Sequence, residues 1–318
     1  MTETMIQMSG VSKHFGTIAA LDGIDLTVKR GEVVGFLGPN GAGKTTTMRI
    51  LSGLLAPSEG SIAVGGVDVL EDPVEARAKI GFLPENPPIY GEMTVREYLN
   101  YLATLRRVPR ARLKEAVNRA MERCGLTNVS ERLLRNLSKG YKQRAGIAQA
   151  IVHGPDVVVL DEPTVGLDPI QIREIRALIR ELGGEHSVLL SSHILPEVRM
   201  TCQRVAVIHQ GRIVADDTLD ALENRSHGKS IHFVRWKNAP SPDQLRAIPG
   251  IADLHPRDDG WLIGAEVSID PVPELIRRSV ASGWDLRELT PTGGSLEEIF
   301  LQLTTREERP EEGAEVSA

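Results

Sequence analysis

The stretch EVVGFLGPNGAGKTTTMRILSGL, from Glu32 to Leu54, decides the fold of this chain. It begins with an apolar run typical of a buried strand and ends with a segment typical of a helix. Between them, GPNGAGKTT matches G-x-x-x-x-G-K-[ST], in which glycines let backbone N–H groups face phosphate oxygens. A glycine-rich turn arising by chance would not need a strand before it and a helix after it. We therefore predict a phosphate-binding loop within an α/β fold.

The motif assigns chemistry to two of its side chains, and a second motif adds two carboxylates. Lys44 is expected to reach the β and γ oxygens of a nucleotide, and the Thr45 hydroxyl to ligate Mg²⁺. Downstream, VVVLDEP is an apolar strand that ends in Asp161 and Glu162. Asp161 is the expected holder of the metal. Because strand side chains alternate, we predict that Glu162 points to a different face, where it is the candidate general base for an attacking water.

The remaining pattern to about residue 225 supports a parallel sheet with a helical insertion. DVVVL, HSVLLSS and RVAVIHQ are typical of buried strands, and PIQIREIRALIREL between the first two is a crossover helix capped by Asp168. From Thr94 to about Cys124 the chain is more helical, and Thr94 with Glu97 forms a capping box at the start.

Beyond a polar segment around Glu223 to Ser230 the pattern restarts as a second, smaller domain. We predict the order strand, helix, two strands, helix, strand and a final helix, which suits a ferredoxin-like α+β domain. The predicted domains are residues 1–225 and 228–305. Residues 306–318 are charged and low in apolar content, so we expect a disordered acidic tail.

Composition excludes several classes of protein. The chain has 318 residues and a formal net charge of −6, which argues against nucleic acid as a partner because binding phosphates in a polyanion normally needs a basic surface. No window approaches the 18 apolar residues of a membrane helix, so we expect a cytoplasmic protein that reaches a membrane through a partner. Cys124 and Cys202 lack CxxC spacing and are expected to be free thiols.

Residues 5 to 222 resemble the ATP-binding cassette (ABC) ATPases. The phosphate loop, LSKGYKQR from Leu137, LDEP, GLDP and SSH occur in that family's order and spacing. The resemblance implies a P-loop NTPase with a helical subdomain that works as a head-to-tail dimer around two ATPs. It implies that Ser138 and Gly140 contact the γ-phosphate of ATP held by a second copy, that the loop with Asp168 crosses the interface, and that His193 is a switch histidine contacting the γ-phosphate. Phe15 would stack on adenine, unless it is a core aromatic.

The predicted site residues follow from the motifs and this resemblance together. The catalytic residues are Lys44, Glu162 and His193. The metal residues are Thr45, Glu85 and Asp161, although the family commonly has glutamine where this chain has Glu85. The nucleotide-binding residues are Phe15, Gly38, Pro39, Asn40, Gly41, Ala42, Gly43, Lys44, Thr45, Thr46, Ser138, Gly140 and Asp168. LSKGYKQR, residues 137–144, resembles the signature motif of the family and is the signature segment of this chain. In it, Lys139 stands where the family has a glycine, and Tyr141 stands where the family has a glutamine.

The segment LPENPPIYGEMTVREYLNYLATL resembles the ATPase subunits of ABC-2 type transporters, including those for gliding motility and multidrug export. The resemblance implies integral membrane permease subunits as partners, with Tyr90 and the apolar face of the Thr94–Leu105 helix as contacts, unless that face only packs in the core. Export is expected by analogy, on the cytoplasmic face of the membrane. One alternative is a soluble ABC ATPase that acts on nucleic acid or ribosomes, but this sequence lacks the second cassette or the coiled-coil insertion that is usual in such proteins. Another alternative is an ATP-gated switch without turnover, and the presence of Glu162 and His193 argues against it.

Overall fold

The computed structural model describes residues 3–226, 231–257, 259–265 and 269–291. Contacts divide the chain into two compact units, Met1–Asp216 and Asp217–Ala318. The predicted domain limits at residues 225 and 228 stay a prediction. The predicted final helix and the acidic tail lie outside the described residues.

Strands and helices alternate along the first part of the chain. To Thr218 the strands are β1 (Thr4–Phe15), β2 (Ile18–Lys29), β3 (Val33–Leu37), β4 (Glu59–Val64), β5 (Val67–Asp68), β6 (Ile80–Leu83), β7 (Val157–Asp161), β8 (Ser187–Ser192), β9 (Arg204–His209) and β10 (Arg212–Thr218). The helices are α1 (Lys44–Leu51), α2 (Pro73–Ala78), α3 (Val95–Leu105), α4 (Arg110–Arg123), α5 (Lys139–Ile151), α6 (Pro169–Leu182) and α7 (Leu195–Thr201).

A six-stranded sheet with the order β10-β9-β3-β8-β7-β6 forms the centre of this unit. The pairs β6–β7, β7–β8, β8–β3 and β3–β9 are parallel. Every residue of β3, β7 and β8 is buried, as expected for parallel strands covered on both faces. Because these strands run in the same direction, the phosphate loop after β3, Glu162 after β7 and His193 after β8 all follow the same edge of the sheet. That edge is where ligands bind in open α/β sheets.

A second sheet, with the order β2-β1-β4-β5, is antiparallel throughout. Our sequence analysis predicted neither β1 nor β2. Side chains from this sheet, such as Ile6, Leu26 and Ile62, share one buried apolar cluster with Phe36 of β3 and Met48 of α1. This core fixes α1, and therefore the phosphate loop that precedes it, between the two sheets.

The predicted helical insertion is confirmed as two helices, α3 and α4, separated by a break at residues 106–109. The capping box is also confirmed, because the Thr94 hydroxyl accepts from the Glu97 N–H and the Glu97 carboxylate accepts from the Thr94 N–H. Helix α3 packs against both α4 and α5. In the part of the chain that the structure describes, no helix has both the length and the apolar character needed to cross a membrane.

The second unit has its own fold. Its elements are α8 (Leu219–Ser226), β11 (Ile231–Trp236), α9 (Pro242–Arg246), β12 (Ile251–Arg257), β13 (Gly260–Ala265), α10 (Val272–Ala281) and β14 (Leu286–Pro291). The sheet order is β12-β13-β11-β14 and each neighbouring pair is antiparallel. With the helices α9 and α10 between the strands, this is the ferredoxin-like arrangement that the sequence predicts. Trp236 and Trp284 meet edge to face in the core, and the Trp236 indole N–H donates to Ser279 Oγ at 2.8 Å.

Candidate functional site

A cavity of about 330 Å³ lies at the edge of the parallel sheet where β3, β7 and β8 end. It brings together most of the predicted catalytic and phosphate-binding residues. Its lining residues are Ala20, Asn40, Gly41, Gly43, Lys44, Thr45, Thr46, Glu85, Glu162, Val165 and His193.

The backbone of the phosphate loop requires its glycines. Gly41 and Gly43 have φ angles of 81° and 111°, which side-chain-bearing residues rarely adopt. A Cβ on Gly38 would lie 2.4 Å from the Ile208 carbonyl oxygen, and one on Gly43 would lie 2.6 Å from Leu21 Cδ2. Helix α1 begins directly after Gly43, which provides no side-chain cap. The first N–H groups of α1 therefore carry the partial positive charge that favours an anion.

Lys44 lines the cavity and is 6% exposed. Its ammonium group donates to the carbonyl oxygens of Gly38 at 2.8 Å and Pro39 at 3.2 Å. It also lies 3.3 Å from Glu162 Oε1. A buried ammonium that contacts the loop and the carboxylate after β7 places a positive charge beside the phosphate loop.

Asp161 is held by two hydroxyl groups. Ser191 Oγ donates to Asp161 Oδ1 at 2.6 Å, and Thr45 Oγ1 donates to the same oxygen at 3.5 Å. Burial raises the pKa of Asp161, and the two hydrogen bonds act in the opposite direction. No cluster of three or more metal-binding His, Cys, Asp or Glu side chains occurs among the described residues. Mg²⁺ commonly uses only one or two protein carboxylates together with substrate phosphates. Thr45 and Glu85, which line this cavity, and Asp161, whose Oδ1 lies 3.5 Å from Thr45 Oγ1, carry oxygens that fit that chemistry.

Glu162 reaches the cavity by a different route from the one that we predicted. Strand β7 ends at Asp161, and Glu162 has a φ of 49°, so a left-handed backbone turn directs its side chain, not strand alternation. The Glu162 N–H donates to Ser191 Oγ at 2.9 Å, which holds this turn. The Glu162 side chain is 8% exposed, and its carboxylate contacts Lys44 through Oε1 and His193 through Oε2.

His193 pairs with Glu162 across a distance of 3.0 Å from Nδ1 to Oε2. An ionised carboxylate can only accept, so Nδ1 carries the hydrogen in this pair. The side chain is 40% exposed, and His193 lines the cavity. The arrangement therefore joins a buried carboxylate and an imidazole whose Nε2 is not engaged by Glu162. That pair has the geometry of a general base with an orienting partner.

Ser138, Gly140 and Asp168 are among the predicted residues that do not line this cavity. Ser138 is exposed and caps α5, where its hydroxyl accepts from the Tyr141 N–H at 3.5 Å. Asp168 is exposed and caps α6 by accepting from the N–H groups of Ile170 and Gln171. Gly140 packs against Gln171, since a Cβ on it would lie 2.7 Å from Gln171 Cδ. The signature segment and the Asp168 segment therefore adjoin each other, apart from the phosphate loop of the same chain.

Two further predicted residues, Phe15 and Glu85, are exposed. Phe15 is 50% exposed at the end of β1, which excludes the core-aromatic alternative, and the Lys13 ammonium lies 5.3 Å from its ring centroid. Glu85 lines the phosphate cavity and also a neighbouring cavity of about 360 Å³. On α3, Tyr98 is buried, whereas Tyr101 is 42% exposed and forms an edge-to-face pair with Tyr90, which is 50% exposed.

Sequence reasoning missed the side chains that support the site. Ser191 contacts both Asp161, the last residue of β7, and Glu162, which follows it. Thr164 and Ser192 contact the buried carboxylate of Glu197. The strand HSVLLSS is identified by its apolar run, and nothing in that run distinguishes a supporting serine from a buried one. The available signal was position, because Ser191 and Ser192 immediately precede the predicted switch histidine.

Comparisons with known proteins point to one family. A family model described as ABC transporter matches residues 21–165. The bacitracin transport ATP-binding protein BcrA of Bacillus licheniformis is 34% identical over 302 residues, which cover 94% of this chain and 97% of the relative. The daunorubicin resistance ATP-binding protein DrrA3 of Streptomyces coeruleorubidus is 33% identical over 317 residues, which cover 99% of this chain and 100% of the relative.

A solved structure extends the comparison to the assembly. The dimeric structure of MJ0796, a bacterial ABC transporter cassette, matches with a TM-score of 0.61 at 25% identity. The match covers 68% of this chain and 99% of that cassette. The similarity therefore spans a whole cassette that has been observed as a dimer.

Proposed function

The chain belongs to the ABC transporter ATP-binding proteins, and on that premise we propose how its residues act and which partners it drives. It is an ATPase subunit. We assign hydrolysis to the cavity at the ends of β3, β7 and β8. The observation that carries this assignment is the contact of Glu162 with both Lys44 and His193 at the phosphate loop.

In the proposed mechanism Glu162 is the general base. Its carboxylate accepts a proton from the water whose oxygen attacks the γ-phosphorus, and the ADP oxygen leaves. The Nδ1–H of His193 orients this carboxylate, and Lys44 supplies positive charge to the β and γ oxygens. Thr45, Asp161 and Glu85 would hold Mg²⁺, which neutralises phosphate charge when bound. The adenine would stack on the exposed ring of Phe15.

We further propose that Ser138, Gly140 and Asp168 serve the nucleotide of a second copy in a head-to-tail dimer. Support comes from their placement, since Ser138 and Asp168 are exposed and none of the three lines the cavity of their own chain. ATP held between two copies stabilises the dimer by mass action, and hydrolysis removes the shared γ-phosphate. The cycle of closing and opening is the motion that the transporter would use.

The proposed membrane partners are separate permease subunits of the ABC-2 type, engaged from the cytoplasmic face. Tyr90, Tyr101 and Leu105 expose apolar surface beside α3 and are the proposed contacts. We propose export as the direction, because one relative is described by drug resistance and another by bacitracin transport. Specificity for the substrate would then lie mainly in the permease.

Hydrolysis by the purified chain tests the catalytic assignment. Glu162→Gln should lower kcat for Mg-ATP by about 10²-fold or more while ATP binding persists, because the amide cannot accept the proton. Glu122→Gln, the same change at an exposed position of α4, is the control and should leave kcat unchanged. Unchanged turnover in Glu162→Gln would refute Glu162 as the base.

A further inference from the structure

A further buried carboxylate, Glu197, lies one turn beyond the segment that carries His193. It belongs to α7 and is only 4% exposed. A charged group in the interior is costly unless it is paired and hydrogen bonded. Its three partners come from three separate parts of the fold, and each part carries a residue of the proposed site.

The first two partners flank the catalytic pair. Thr164, two residues after Glu162, donates its hydroxyl to Glu197 Oε2. Ser192, directly before His193, has its Oγ 3.5 Å from the same oxygen. Ser192 Oγ in turn accepts from the Ile194 N–H at 3.0 Å, so it closes a short turn around His193. Glu197 therefore contacts the segments that hold both members of the Glu162–His193 pair.

The third partner is Arg176, from the middle of α6. Its Nη2 lies 3.4 Å from Glu197 Oε1, and the Arg176 side chain is 15% exposed. Arg176 also donates to Met200 Sδ of α7 at 3.3 Å. Its Nε has no hydrogen-bond partner among the described residues. The contacts that the guanidinium makes through Nη1 and Nη2 are with residues of α7. Helix α6 begins at Pro169, directly after Asp168, whose side chain caps it.

We propose that Glu197 is a positioning residue for ATP hydrolysis, which ties the turn carrying His193 to Thr164 and to α6, the helix that Asp168 caps. The inference rests on the hydrolytic roles proposed above for Glu162 and His193. A buried ion pair of this kind is weak evidence for stability, since apolar residues of similar size often stabilise as well or better. The contribution of the ion pair is geometric, because the pair fixes the His193 imidazole relative to the Glu162 carboxylate, which that imidazole orients.

The test combines kinetics with a spectroscopic probe of His193 in the full chain. Glu197→Gln keeps the size of the side chain and removes its charge, whereas Glu181→Gln makes the same change at an exposed position of α6. We expect Glu197→Gln to lower kcat by about tenfold or more, because small displacements of reacting groups have effects of this size. The ATP dissociation constant should stay within about twofold of wild type, since no nucleotide contact is removed.

The imidazole of His193 supplies the readout that a merely structural role would not move. In histidine-labelled protein, the His193 ring resonance, assigned by its loss in His193→Gln, should shift in Glu197→Gln and stay unchanged in Glu181→Gln. Arg176→Gln should reproduce both effects, and the double variant Arg176→Gln/Glu197→Gln should be no worse than either single one, because the pair acts as a unit.

Two results would overturn the proposal. One is a loss of kcat in Glu197→Gln no larger than the loss of folded protein seen by thermal unfolding. The other is an unchanged His193 resonance. Failure of the proposed function is separate from both, since it would appear as full turnover in His193→Gln or Glu162→Gln whatever Glu197→Gln does.

Discussion

Replacing Ser191 by alanine should damage hydrolysis more than any other deletion of a single hydroxyl in this sheet. Ser191 is fully buried, donates to Asp161 at 2.6 Å and accepts from the Glu162 N–H at 2.9 Å. Loss of the bond to a carboxylate costs about 1.5–3 kcal/mol, and loss of the bond from the amide about 1 kcal/mol. The sum of about 3 kcal/mol corresponds to a fall in melting temperature of about 10 °C for a unit of this size.

The effect on catalysis follows from the backbone of Glu162. Its φ of 49° is unfavourable for a residue with a side chain, and the Ser191 hydroxyl is what its N–H binds. Without that partner the turn relaxes and the carboxylate moves away from His193. A displacement of about 1 Å costs about 10²-fold in rate. We therefore expect Ser191→Ala to lower kcat about 10²-fold at a temperature where the variant is still folded.

Ser187→Ala is the matched control because it removes a buried hydroxyl from the other end of β8. Ser187 is 1% exposed and accepts from the Gly31 N–H at 3.0 Å. Its loss should lower stability by about 1 kcal/mol and leave kcat at the wild-type value. Steady-state ATPase assays on both variants, at matched folded fractions, decide the matter. Equal kcat values for Ser191→Ala and Ser187→Ala would refute the reasoning.

Three further predictions concern charge, stacking and thiol chemistry. Burial raises the pKa of Asp161, so the folded state binds its proton more tightly than the unfolded state. The free energy of unfolding therefore falls as the pH rises from the unfolded-state pKa of this carboxyl to its higher folded-state pKa. Calorimetry at neutral pH should show a higher melting temperature for Asp161→Asn, with hydrolysis lost. Phe15→Leu should weaken ATP binding about tenfold in titrations, whereas Phe15→Tyr should not, because stacking contributes about 1–3 kcal/mol per base. Burial raises the pKa of Cys124 to about 12 and also raises that of Cys202, so intact-mass analysis should find neither alkylated by iodoacetamide at pH 8 until the protein unfolds.

The parts of the site that obey local rules were predictable from the sequence. The phosphate loop was predictable because a strand, a glycine-rich turn and a helix are adjacent in the chain, and Gly41 and Gly43 have positive φ angles that favour glycine. The caps at Thr94 and Asp168 were predictable for the same reason, since a cap and its partners lie within three residues of each other.

The parts that depend on distant contacts were not predictable in the same way. The left-handed turn at Glu162 is held by Ser191, 29 residues away, so strand periodicity led to the wrong explanation for its direction. The buried partners of Glu197 lie up to 33 residues away in sequence. Strands β1 and β2 pair with register shifts at several points, and such irregular pairing weakens a period-of-two pattern.

The central claim is that two copies share each nucleotide, and light scattering on Glu162→Gln tests it most directly. Blocked hydrolysis should trap the shared state, so the measured mass should double with Mg-ATP and stay single without it. Ser138→Phe in the same background should abolish the doubling, whereas Ser241→Phe, which also replaces an exposed helix-capping serine, should not. A mass that stays single although ATP binds, or that doubles equally with Ser138→Phe, would contradict the shared site.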